Sequence, residues 1–127
     1  MLNVLIVGCG GFIGAALRYG VSLLINGVYH EAFPLATMLI NVVGSFLIGF
    51  ASVFFVEMMP DRKSLLLFVS TGILGGFTTF STFSLEAFGL LEQARYGMAG
   101  AYMVLSVLSC VLGVFLGCLL AKTVCLH

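Results

Sequence analysis

Long apolar runs separated by short polar breaks dominate the sequence. A membrane-spanning helix needs about 20 consecutive, mostly apolar residues, and four segments meet this requirement: residues 2–25, 35–56, 64–91 and 96–121. The breaks between them are too short to form a soluble domain. The pattern therefore predicts an all-α integral membrane protein whose single four-span domain covers residues 1–127.

Charged residues are scarce, which strengthens the membrane assignment. Only 8% of the chain is charged and 61% is hydrophobic, whereas a soluble domain carries about 25% charged residues. Such hydrophobicity excludes a disordered chain. A formal net charge of zero excludes the basic surface of a nucleic-acid-binding protein. The expected surroundings are membrane lipid, and no nucleic acid is expected as a partner.

The first apolar run contains a glycine-rich segment, GCGGFIG at residues 8–14, which is similar to a dinucleotide-binding turn. The chain lacks the alternating strands and polar-faced helices that a parallel sheet would need. Gly10 and Gly14 instead form a GxxxG pair, which lets transmembrane helices approach closely. The chain has four cysteines and no CxxC pair, so we expect them to be buried in apolar packing and not to form a disulfide or zinc site; they are Cys9, Cys110, Cys118 and Cys125.

Basic residues in the loops give only a weak orientation signal. Alternating helices place Arg62, Lys63 and Lys122 on one side of the membrane and Arg95 on the other. Orientation follows the Lys/Arg bias of short loops, and this bias is small. Two alternatives therefore stay open: one orientation with a modest preference, or insertion in both orientations.

The third span carries an unusual polar pattern at its centre. Gly75 and Gly76 are followed by hydroxyl residues at Thr78, Thr79 and Ser81. Glycine is a poor helix former, and broken backbone at membrane depth is tolerated only where it is buried in protein or lines a cavity. The pattern predicts a third helix broken at mid-membrane, where freed carbonyls hold a cation or a helix N-terminus attracts an anion. A simple packing interface of small residues is the alternative.

Aromatic and polar side chains supply candidate ligands. Phe80 and Phe83 are three residues apart and share a helical face, where their electropositive ring edges can meet an anion. Asn41 lies within the second span, where it either binds a neighbouring helix by a hydrogen bond or serves as a ligand. In the fourth span Tyr102 and Ser106 form a polar stripe with either Ser109 or Cys110. Arg18 and Glu86 are the charges well inside the spans, and their pairing, directly or at opposite mouths, would limit the cost of burial.

Three segments together resemble one family. They are GGFIGAALRYG at 10–20, FPLATMLINVVGSFLIG at 33–49 and GGFTTFSTFSLEAF at 75–88, and they are similar to the Fluc (CrcB-type) fluoride channels. The resemblance implies an antiparallel, dual-topology homodimer in the bacterial plasma membrane. It also implies two fluoride pathways and a structural sodium ion at the dimer centre.

The resemblance also implies roles for individual residues. The fluoride pathway would be lined by polar and aromatic side chains: Asn41, Thr79, Phe80, Ser81, Thr82, Phe83, Tyr102 and Ser106. Arg18 and Glu86 would be the charged residues of the vestibules. Backbone carbonyls of Gly75 and Thr78 would bind the sodium ion.

The resemblance implies a function: export of cytoplasmic fluoride down its electrochemical gradient, which reduces fluoride toxicity. Uncharged donors would replace the ion's water without trapping the ion. A proton-coupled small-anion transporter that uses Glu86 is the main alternative, and a purely structural membrane subunit is another. No convergent His, Cys or carboxylate pair lies within the spans, so no enzyme is expected.

Overall fold

The computed structural model describes residues 1–126, and the regular secondary structure over that range is helical. Four of its helical segments are long and apolar enough to cross a membrane. Each predicted span lies within one of these segments, so the four-span prediction is confirmed. The elements are α1 (Leu2–Val28), α2 (Leu35–Met58), α3 (Lys63–Leu66), a π-helix (Leu67–Leu74), α4 (Gly75–Phe77), α5 (Phe80–Glu92) and α6 (Tyr96–Cys125).

The third span, Lys63–Glu92, is interrupted, as predicted. Thr78 has extended dihedrals (φ −78°, ψ 158°), and so does Thr79 (φ −153°, ψ 116°). The interruption therefore falls on the two threonines, and not on the glycines that precede them. Gly75 itself is helical (φ −64°, ψ −36°).

The glycines of the third span serve close packing. A Cβ on Gly72 would come within 2.9 Å of the Cα of Gly10, and one on Gly76 within 2.5 Å of the carbonyl oxygen of Gly11. A Cβ on Gly14 would overlap the carbonyl oxygen of Ile73. The GxxxG interpretation is therefore confirmed, because the backbones of α1 and the first half of the third span are in direct contact.

The other major interface joins α2 to α6. A Cβ on Gly117 or Gly49 would overlap backbone of the opposite helix, at Phe46 and Val114 respectively. A compact aromatic core then forms where α5 meets α6, with Phe83 and the fully buried Tyr102 at its centre. The ring of Phe33 meets Tyr102 edge-on at a centroid distance of 5.5 Å. These interfaces hold the interrupted third span between α1, α2 and α6.

The four cysteines are free thiols, but the expectation that they are buried is wrong. Cys9 is exposed on α1, and the other three are partly exposed. The spans are apolar on almost every side because lipid surrounds them. A cysteine in such a sequence can therefore face outward at no cost.

Candidate functional site: two cavities at the helix interruption

Asn41 on α2 holds the interruption in place. Its side-chain Nδ2 donates to the carbonyl oxygen of Thr79 at 3.0 Å, and its Oδ1 accepts from the backbone N–H of Thr79 at 2.8 Å. The side chain thus satisfies both polar groups of an extended residue, as a neighbouring strand would. Because an amide nitrogen carries two hydrogens, one N–H of Asn41 remains available.

Thr79 also begins α5. It is the N-cap residue, and its Oγ1 accepts from the backbone N–H of Thr82 at 3.2 Å, which satisfies a donor at the helix start. Its hydroxyl also lies 3.0 Å from Oγ1 of Thr82 and 3.4 Å from Oγ of Ser81. The three hydroxyls predicted as pathway residues are therefore brought together at the start of α5.

These bonds change the partners of two carbonyl groups. In a continuous α-helix the N–H of residue i donates to the carbonyl of residue i−4, so Thr79 would donate to Gly75 and Thr82 to Thr78. Here Thr79 donates to Asn41, and Thr82 donates to the hydroxyl of Thr79. The interruption thus takes the usual helical donors away from the carbonyl oxygens of Gly75 and Thr78.

One cavity, named here the break cavity, lies beside the interruption and combines polar groups with a larger apolar surface. Its volume is about 320 Å³, and it is lined by polar, aromatic and aliphatic residues: Asn41, Ser45, Ile48, Thr78, Thr79, Phe80, Phe83, Ser106, Val107, Cys110 and Val111. All its polar side chains are uncharged in their ordinary states. The cavity therefore offers hydrogen-bond donors without a fixed positive charge.

The two phenylalanines meet at this cavity but differ in exposure. Their ring centroids are 5.4 Å apart with an interplanar angle of 44°. Phe80 is 76% exposed on the protomer surface, whereas Phe83 is 8% exposed. Phe83 is also 5.1 Å from the ring of Tyr102. The pair thus reaches from the buried core to an open face of the protomer.

Glu86 accepts hydrogen bonds from two neighbouring helices. Oγ1 of Thr37 donates to Oε1 of Glu86 at 2.8 Å, and the hydroxyl of Tyr102 donates to Oε2 at 2.7 Å. Two donors compensate a carboxylate within a membrane span. The hydroxyl of Tyr102, a predicted pathway residue, therefore donates its hydrogen to Glu86.

A second cavity, named here the arginine cavity, also reaches Thr79. It measures about 280 Å³ and is lined by Ala15, Arg18, Tyr19, Ser22, Thr37, Ile40, Thr79 and Thr82. Thr79 lines both cavities. Within the described part of the chain Arg18 and Glu86 form no ion pair, so the direct arrangement, one of the two that the sequence left open, is not seen in the protomer. Thr37 lies between them, since it lines the arginine cavity and donates to Glu86.

The contribution of Thr37 was not identified from the sequence. Thr37 and Asn41 are four residues apart on α2, so they share one helical face, and this spacing was the available signal. Ser106 lines the break cavity as predicted. On α6 the structure resolves the open alternative in favour of Cys110, because Ser109 lines a separate apolar groove with Val42 and Phe46.

The protein has four apolar spans, an interrupted third helix and two cavities that meet at the interruption. These features define its class, which is that of small membrane proteins that pass or carry a solute. Residues 5–118 match the family described as CrcB-like protein, Camphor Resistance (CrcB). A relative from Ruminiclostridium cellulolyticum is 51% identical over 98% of this chain and 95% of its own length.

Two further relatives are similar over most of their length. One from Rhizobium meliloti is 44% identical over 96% of this chain and 98% of its own length. One from Coxiella burnetii is 40% identical over 95% of this chain and 98% of its own length. All three relatives are named "Fluoride-specific ion channel FluC".

The chain belongs to the CrcB family, which confirms the resemblance seen in the sequence. The family is one of channels, so the prediction that the chain is no enzyme is also confirmed. Together with the four apolar helices, it identifies a multi-pass protein of the bacterial cell membrane.

Proposed function

We propose that this protein is a fluoride-selective channel that lets cytoplasmic fluoride leave the cell down its electrochemical gradient. The observation that carries the proposal is the break cavity, a space beside the interruption of the third span whose lining includes uncharged donors and two phenylalanine rings. The relatives named as fluoride-specific channels support it.

Within the break cavity, fluoride would exchange its water for protein donors. The free N–H of Asn41 and the hydroxyl of Ser106 would donate hydrogen bonds, and the ring edges of Phe80 and Phe83 would add partial positive charge. No donor there is a fixed cation, so the ion would be bound strongly enough to enter and weakly enough to leave. Donors spaced for a small ion would reject chloride.

Thr79 would connect the two cavities along the path. It lines both of them, and its hydroxyl contacts those of Ser81 and Thr82. Arg18 in the arginine cavity would attract anions toward this point. Glu86 would remain fixed by Thr37 and Tyr102, so that its negative charge is partly compensated beside the pathway.

The functional unit would be an antiparallel homodimer. The exposed ring of Phe80 and the exposed backbone of Gly75 lie on a protomer face that a second copy would cover. The weak Lys/Arg bias of the loops supports insertion in both orientations. A dual-topology dimer would thereby complete the pathway and shield its polar groups from lipid.

A structural sodium ion would bind on the protomer side that carries Gly75, where a second copy would meet it. The carbonyl oxygens of Gly75 and Thr78 have lost their usual helical donors, and oxygen is the preferred ligand of a hard cation. When bound, sodium would supply fixed positive charge near the pathway. Two carbonyls cannot fill a cation's shell, so those of a second protomer would be needed.

The test is fluoride efflux from liposomes that contain the purified protein. With the membrane potential set by potassium and valinomycin, fluoride efflux should follow the potential and remain unchanged when a proton gradient is imposed. Chloride efflux should stay at the level of empty liposomes. Efflux that strictly requires a proton gradient would favour the coupled transporter, and no efflux would favour a structural subunit.

A further inference from the structure

The thiol of Cys110 belongs to the break cavity. Cys110 lines this cavity together with Asn41 and Ser106. It follows Ser106 by four residues on α6, so the two side chains lie on one face of the helix. The polar stripe of α6 therefore ends in a thiol, a soft ligand among otherwise hard oxygen and nitrogen donors.

Ser106 provides a second, independent sign that this position accepts a ligand. Its side chain is 4% exposed, and its Oγ has no hydrogen-bond partner in the described part of the structure. Buried hydroxyls are normally paired, because leaving one unpaired costs about 1–3 kcal/mol. This unpaired hydroxyl lies one turn from Cys110, on a residue that lines the same cavity.

The other three cysteines lie elsewhere. The thiol of Cys118 donates to the carbonyl oxygen of Gly49 at 3.3 Å, within the α2–α6 interface. Cys9 lies on the exposed side of α1, and Cys125 is the last residue of α6. Over residues 1–126, Cys110 is the cysteine that lines the break cavity.

We propose that Cys110 is a binding site for thiophilic metals, and that metal bound there blocks fluoride conduction; this rests on the proposed function. With methylmercury hydroxide as the probe, the Cys110 S–H and the mercury–hydroxide bonds break, a sulfur–mercury bond forms, and the proton leaves with hydroxide as water. No electron transfer is needed. The bound group replaces a small thiol by a bulky apolar one beside Ser106 and Asn41.

The experiment measures fluoride efflux from proteoliposomes before and after methylmercury hydroxide, in chloride-free medium. Three proteins are compared: the wild type, Cys110→Ser, and a variant that keeps only Cys110 (C9A/C118A/C125A). Peptide mass spectrometry of the same samples reports which cysteines carry the metal. We expect efflux to fall at least fivefold in the wild type and in the Cys110-only protein, and to recover with dithiothreitol. Cys110→Ser should show the same rate of fluoride efflux before and after the treatment.

Equal inhibition of Cys110→Ser and wild type would overturn the proposal, since another cysteine would then be responsible. Labelled Cys110 with unchanged efflux would also overturn it, as would an unlabelled Cys110. If the Cys110-only variant fails to fold, the wild type and Cys110→Ser decide the question. Absence of efflux in untreated wild type would instead contradict the proposed function, while labelling would still test whether Cys110 binds the metal.

Discussion

At the scale of single residues, the side chain of Asn41 fills two roles at once. Its side-chain amide pairs with both backbone groups of Thr79, at 3.0 and 2.8 Å, and it also lines the break cavity. One side chain therefore fixes the interruption and offers a donor at the same point. Its membrane depth was evident from the sequence, but its pairing with Thr79 was not, because nothing in the local pattern specifies that contact.

Replacing Asn41 by Asp tests this double role. Aspartate loses the donor to the carbonyl of Thr79, and its ionised form places negative charge where an anion must pass. We expect fluoride efflux to fall at least tenfold in Asn41→Asp. Asn26→Asp, which changes an exposed asparagine at the end of α1, should keep the wild-type rate. Wild-type efflux in Asn41→Asp would show that neither role matters for conduction.

The phenylalanine pair gives a second test at this scale. Phe80→Ile and Phe83→Ile keep apolar bulk but remove the electropositive ring edge, so each should reduce fluoride efflux about tenfold or more. Phe12 is 77% exposed on α1, close to the 76% of Phe80, which makes Phe12→Ile the matched control. If Phe80→Ile conducts as well as Phe12→Ile, its ring edge has no part in permeation.

At the scale of elements, the sequence predicted the four spans and the interruption of the third, but placed the interruption partly on the wrong residues. Gly75 and Gly76 suggested broken backbone, yet both are helical. Packing against α1 requires the absence of a side chain at Gly76, while Asn41 pairs with both backbone groups of the extended Thr79. Glycine in a membrane helix can permit either close packing or a broken backbone, so the sequence alone cannot tell which of the two a given glycine serves.

Gly14 tests the α1 interface directly. A Cβ at Gly14 would overlap the carbonyl oxygen of Ile73, and overpacking of this kind costs about 1–3 kcal/mol. Gly14→Ala should therefore lower the melting temperature of the detergent-solubilised protein. Gly8→Ala lies on the same helix with open space around it, and should be neutral or slightly stabilising. Equal melting temperatures for the two variants would contradict the close packing.

The turn between α5 and α6 offers a substitution that should stabilise the protein, from alanine to glycine. Ala94 has φ 58°, and the N–H groups of Arg95 and Ala94 donate to the carbonyls of Leu90 and Leu91 at 2.9 and 3.0 Å. This is the Schellman arrangement, in which glycine is favoured at the left-handed position. Ala94→Gly should stabilise the protein by about 1 kcal/mol. Ala101→Gly, inside α6, should destabilise it by a similar amount, and the same sign for both would contradict this assignment.

At the scale of the whole molecule, the weak Lys/Arg bias of the loops and the exposed ring of Phe80 both support the proposed antiparallel homodimer. Reporters on the C-terminus that are active on only one side of the membrane should give comparable signals from both sides. Because the Lys/Arg bias is so small, an added lysine in the third loop should shift the ratio strongly. Signal from one side only would exclude the antiparallel dimer.

The central claim is selective, uncoupled conduction of fluoride, and the reversal potential of the protein-dependent current tests it most directly. In a planar bilayer with a tenfold fluoride gradient and equal chloride on both sides, a fluoride-selective channel reverses at about 59 mV in magnitude, the equilibrium potential of a monovalent ion. The account predicts this value, unchanged when the pH of one side is altered by one unit. Reversal near zero, or a potential that follows the pH gradient, would contradict it.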